Sequence, residues 1–151
     1  MRGPRLTAYG EGRKRKALTK EAEAVNVGVT VAQNLVRVCG LALIVLGVLF
    51  WTGNALQLIA VHILLGLVLV LSLWTLAFLG ARAGVSPGFV TLVFLWGLLV
   101  PVFGLTQDRL LVGDAHWVIR ILHLLVGLGA IGQAEGLAAR IRQAASAPVS
   151  P

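Results

Sequence analysis

Three histidines, His62, His116 and His123, are the only imidazoles in this chain of 151 residues, and two of them fall inside long apolar runs. An ionisable side chain within a membrane span is costly, which makes it a candidate for function. His62 lies seven residues after Ala55, where one apolar run begins, and His123 lies seven residues after His116. In two helices entering from the same side, each would stand about 10 Å below that surface at about 1.5 Å per residue. Two neutral imidazoles at matched depth can take both axial positions of one haem iron, with apolar walls holding the porphyrin. His62 and His123 are therefore the expected ligands of a haem iron, and haem b the expected cofactor.

Neighbouring residues fit the same chemistry. Glycine follows each histidine by four positions, as Gly66 and Gly127, one turn along the same helix face. A flat macrocycle needs that access to the backbone. His116, Arg120, His123 and Gly127 follow a 4-3-4 spacing and form one stripe. Arg120, nearer the surface than His123, can pair with a haem propionate. His116 can do likewise, or serve as a proton or quinone contact. Asn54, Gln57 and Gln107 are further polar candidates at that end. A zinc or copper site on three histidines is not expected. His116 and His123 are about 10 Å apart along the axis, against about 2 Å from an ion to each ligand. The alternative reading has no cofactor. The histidines then hydrogen-bond neighbouring helices, and the chain is an accessory, scaffold or small transporter subunit.

The segment His62-ILLGLVLVLSLW and the segment His123-LLVGL resemble helices of small bacterial b-type cytochromes of the cytochrome b561-like group. The resemblance implies a four-helix membrane bundle that binds haem through helix histidines and passes electrons, often with quinone. Many such proteins hold two haems on at least four histidines, whereas three histidines admit one bis-histidine haem at most. A single haem at one depth needs a quinone or a redox partner subunit to complete transfer across the bilayer. The chain would then be a subunit of a membrane oxidoreductase.

The elements that must position these residues follow from composition. Hydrophobic residues make up 58% of the chain and charged residues 13%, and mean hydropathy is +0.89. A soluble domain carries about 25% charged residues, so the apolar surface here must be covered by lipid. The expected fold is all-α, an integral membrane four-helix bundle built from two similar helical hairpins. The short match between the His62 and His123 segments suggests that repeat. Spans are expected at 31–53, 55–79, 88–105 and 116–137, within a domain of residues 29–142. Each has about the 20 residues that cross a hydrocarbon core of about 30 Å. Gly53-Asn54 and 80–88 read as turns, and 106–115 as the longest interior loop. Pro101 should kink the third span. Gly132 and Gly136, four apart, mark a face where another helix can approach closely.

Charge sets the expected direction. Seven of the 13 basic residues lie in the first twenty: Arg2, Arg5, Arg13, Lys14, Arg15, Lys16 and Lys20. A mobile basic tail over residues 1–28, with a short interfacial helix near 16–25, would lie on the cytoplasmic side with Arg82, Arg140 and Arg142. Both termini are then cytoplasmic, in a cell (inner) membrane. Arg37 is expected to snorkel to that surface, and Gln133 and Glu135 to sit at it. Residues 143–151 read as a disordered tail. The net charge of +7 does not indicate nucleic acid, because the basic run lacks interleaved aromatics. Cys39 is the single cysteine, so no disulfide forms within the chain. No Walker A loop, GxSxG elbow, HExxH pair or Rossmann fingerprint is present.

Overall fold

The structure, a computed structural model, describes residues 4–146, and their side chains apart from 4–11, 14 and 15. Four helices make up the bundle: α1 (Pro4–Trp51), α2 (Ile59–Arg82), α3 (Pro87–Thr106) and α4 (His116–Ser146). Short 3₁₀ turns, Leu56–Leu58 and Gln107–Arg109, precede α2 and follow α3. No strand occurs among the described residues. All four helices are long and apolar enough to cross a membrane.

Two of these boundaries differ from expectation. The basic tail and the first span form one helix, with no break near residue 28. After Pro4 the next proline is Pro87, and Ala, Leu, Lys and Glu between them favour helix. Nothing interrupts α1 until Gly53. At 48 residues it is about 72 Å long, so it runs well beyond a core of about 30 Å. The last helix likewise continues through Ser146. Of the expected disordered tail, 143–146 are helical and 147–151 lie outside the described residues, as do 1–3.

The turns have a simple cause. Asn54 N–H donates to Leu49 O and Gly53 N–H to Phe50 O, while Val85 N–H donates to Gly80 O and Gly84 N–H to Ala81 O. Each pair closes a helix C-terminus in a Schellman motif. Gly53 and Gly84 both take φ of +76° there, a left-handed conformation that glycine adopts without a steric cost. Pro87 then opens α3 at its first helical position. Pro101 lies inside α3, which continues through it to Thr106.

Contacts between helices set their directions. Gly28 lies against Leu79 and Gly40 against Leu69, so α1 and α2 are antiparallel. Phe89 faces Gly136 and Gly104 faces His123, so α3 and α4 are antiparallel too. α1 and α3 each pack beside α2 and α4 but not beside each other, and α2 meets α4 across the diagonal.

The solid core occupies the half of the bundle nearer the 83–86 turn. Val29, Val36, Leu73, Leu76, Val93, Leu137 and Ile141 are fully buried there. Two tryptophans pin α3 in place. Trp74 Nε1 donates to Phe94 O on α3, and Trp96 Nε1 donates to Val126 O on α4. Their rings fit only because glycine faces them. A Cβ on Gly97 would fall 2.5 Å from Trp74, and one on Gly129 would fall 2.7 Å from Trp96. Each indole thus buries a large apolar ring while its N–H finds an acceptor.

A polar network joins the first helix to the last. Arg37 Nε and Nη2 donate to Glu135 at 2.6 and 2.8 Å, a bidentate pair. Gln33 Nε2 donates to the same carboxylate at 2.6 Å, and Arg142 Nη2 donates to Gln33 Oε1 at 2.7 Å. Arg37 therefore turns to α4 rather than to the bundle end, and Glu135 is its partner. In apolar surroundings an ionised group gains more from a charged hydrogen-bond partner than from distant solvent. At the bundle end, Arg82 pairs with Glu21 at 3.7 Å.

Packing predicts a sharp contrast between two glycines. Gly129→Val forces a side chain onto the Trp96 ring and should destabilise by about 1–3 kcal/mol. Gly88→Ala meets nothing within 4 Å and should stay within about 0.5 kcal/mol. Thermal unfolding in detergent measures both. Equal melting temperatures for the two variants would contradict the packing.

Candidate functional site

The half of the bundle nearer the 52–58 and 107–115 turns is built differently. Here the four helices surround a cavity of about 470 Å³, within the range of about 300–1,000 Å³ typical of ligand sites. His62, Gly66, His116, Arg120, His123 and Gly127 all line it. Of the further polar candidates Gln107 lines it too, whereas Asn54 and Gln57 do not.

The two histidines meet because α2 and α4 do. Both helices start at this end, and each histidine lies a few residues in. The ring centroids are 6.3 Å apart with planes inclined at 38°. α1 supplies Phe50, 5.3 Å from His62, and α3 supplies Phe103, 6.0 Å from His123. One ring from each helix therefore forms a continuous row: Phe50, His62, His123, Phe103. Gly104 backs the row on α3. A Cβ there would fall 3.1 Å from His123 Cε1, so the imidazole rests against bare backbone.

Neither imidazole is held by a hydrogen bond at Nδ1. Both Nδ1 atoms are buried and without a partner among the described residues, an arrangement that costs free energy unless something satisfies them. His116 differs, with Nδ1 at 3.2 Å from Leu110 O. It stays at the rim. Arg120 lines the cavity near the same end, together with Asp108, and is exposed. Gly47, Gly66 and Gly127, from three helices, line the wall, and a Cβ on any of them would meet nothing within 4 Å.

The spacing of the two rings matches that of a bis-imidazole ligand pair. Two metal–nitrogen bonds of about 2 Å place coordinated nitrogens about 4 Å apart, and roughly one ångström more at each end reaches the ring centres. The resulting separation of about 6 Å compares with 6.3 Å between the centroids. No group of three or more His, Cys, Asp or Glu side chains converges to hold an ion among the described residues. Two histidines thus stand in an apolar wall with a cation, Arg120, at the rim.

Phe50, Phe103, Gly104 and Gly47 were not legible as site residues in the sequence. Phe50 precedes Trp51 and reads as part of an interfacial belt. Phe103 and Gly104 lie on a span with no charged residue to draw notice. Their one common signal is proximity to a span's end at the depth of the histidines.

The contact at Gly104 predicts a local effect. Gly104→Ala should displace the His123 ring resonances in spectra of ¹³C-histidine-labelled protein and leave those of His116 in place. Gly66→Ala, which adds a methyl into open space, should move neither. An unshifted His123 in Gly104→Ala would place the ring elsewhere. Comparison with family models, curated proteins and solved structures found no match, so the site's own geometry carries its functional reading.

Proposed function

We propose that this chain is a membrane electron-transfer protein that holds one b-type haem between α2 and α4. The observation that carries the proposal is the pair His62 and His123. Their ring centroids lie 6.3 Å apart on the wall of an apolar cavity, and both Nδ1 atoms are buried with no partner among the described residues. Haem so ligated supplies reversible one-electron chemistry at iron.

The chain's own residues do the rest. His62 and His123 would hold the iron through ring nitrogens, and Phe50 and Phe103 pack against their rings from either side. Gly66 and Gly127, with Gly47, keep side chains out of the space a macrocycle requires. Arg120 at the rim offers a guanidinium to a propionate, and His116 stands beside it as a second polar contact. With both histidines holding it, the iron would supply electron transfer rather than small-molecule activation.

The basic residues orient the bundle. Lysines and arginines crowd the N-terminal part of α1 and the ends near Arg82, Arg140 and Arg142, whereas Arg109 at the histidine end is balanced by Asp108 and Asp114. The positive-inside bias puts both termini in the cytoplasm and the histidines near the outer face of the inner membrane. Electrons then exchange with a quinone or with a redox partner subunit.

Colour tests this directly. Chain expressed with adequate haem should purify with a Soret band and an α-band that sharpens on reduction. His62→Ala and His123→Ala should each abolish the spectrum, and His116→Ala should spare it. Gly127→Phe should also lose the haem, because its ring enters the cavity, yet fold with an unchanged helical signal. Colourless wild-type protein under those conditions would leave the cofactor-free reading, a multi-pass accessory or transporter subunit.

A further inference from the structure

We infer that α1 and α4 present a two-fold face on which a second copy of the chain seats, centred on Arg37 and Glu135. Depth is the first part of the argument. On antiparallel helices, Gly28 is level with Leu79 and Gly40 with Leu69. Arg37 lies between them, nine residues from Gly28, or about 14 Å at about 1.5 Å per residue. The α2 segment alongside, from Ile63 to Ala81, carries no charged residue. The Arg37 backbone is thus within the apolar part of the bundle, and its guanidinium meets Glu135 nearer the 83–86 turn, where Gly136 faces Phe89 and Leu137 faces Gly80.

Its exposure is the second part. The Arg37 and Glu135 side chains are 54% and 37% accessible, so the pair faces outward, away from the core. Nη1 of Arg37 makes no hydrogen bond among the described residues. Lipid tails offer it no acceptor. The surrounding stripe has the same character. On α1, Thr30, Asn34, Arg37 and Leu41 follow 4-3-4 spacing and are all exposed, and the Asn34 amide makes no hydrogen bond among the described residues. On α4, Gly132, Glu135, Ala139 and Arg142 continue the face. Gly132 has open space beside it, and Ala139 is small, so another helix can come close.

Symmetry selects the occupant. A positive group beside a negative one is matched by the same pair turned through two-fold rotation, because Arg37 of one copy then meets Glu135 of the other. A lone anion or cation would match one member and oppose the other. The amide of Asn34 is likewise both donor and acceptor, and so is self-complementary. The inference is independent of what the cavity holds.

The full chain in lipid nanodiscs should be a dimer by native mass spectrometry. Oxidation of Asn34→Cys in a Cys39→Ser background should cross-link two copies in membranes. Leu95→Cys, exposed on α3, should not. Arg37→Glu and Glu135→Arg each place like charges together and should weaken self-association about tenfold or more. Mixed, these two variants restore opposite charges across the face and should pair with each other. The double variant Arg37→Glu/Glu135→Arg keeps the internal pair, reports on folding, and should dimerise. A monomeric wild type overturns the inference, as does a dimer cross-linked through Leu95→Cys alone, or a failure of the mixed variants to pair while the double variant dimerises.

Discussion

The contact of α2 with α4 across the diagonal is the constraint on which the rest of the bundle depends. In a four-helix arrangement one diagonal can close and the other must then open. Here α1 and α3 stay apart while α2 and α4 touch. α2 and α4 run in the same direction and enter from the same end, so residues early in both can meet. His62, in the first turn of α2, thus stands beside His123, two turns into α4. Were the other diagonal the short one, the same histidines would stand on helices that do not meet.

Along that diagonal the two halves of the bundle do different work. Toward the 83–86 turn the interior is filled by Leu73, Leu76, Leu137 and Ile141, with tryptophans seated on glycines. Toward the histidines the walls carry glycine and the helices enclose a cavity. The packed half gives rigidity, since interiors at this density resist small displacements. The cavity half inherits that rigidity, because its helices are continuations of the same four. A ligand site positioned within a fraction of an ångström needs such a foundation. The Gln33–Arg37–Glu135–Arg142 network adds a second tie, between the first helix and the last.

Much of this was legible in residue types and spacing, and the parts that were not have physical reasons. The four long apolar helices follow from hydropathy, and the turns at Gly53 and Gly84 from glycine's conformational range. The equal count of seven residues from Ala55 and from His116 pointed to the His62–His123 pair, although α2 itself begins only at Ile59, after the 3₁₀ turn. Helix ends were harder. The junction of the basic tail with the first span carries no proline, and Gly28 there does not stop the helix, so charge marks the change of surroundings while the backbone continues. Lateral neighbours were harder still. Phe50, Phe103 and Gly104 owe their place at the site to which helices adjoin, and spacing along one helix says nothing of that. Arg37 illustrates the same limit. Its position suggested a reach along α1 to the surface, but the nearer partner lay across the groove on α4.

The central claim is that His62 and His123 together hold one haem iron. Electron paramagnetic resonance of the oxidised, haem-loaded chain tests it most directly, because the spin state reports both axial ligands at once. The account predicts a low-spin ferric signal, from two imidazoles, in the wild type. A high-spin ferric signal from the wild type, as one axial histidine or none would give, would contradict it.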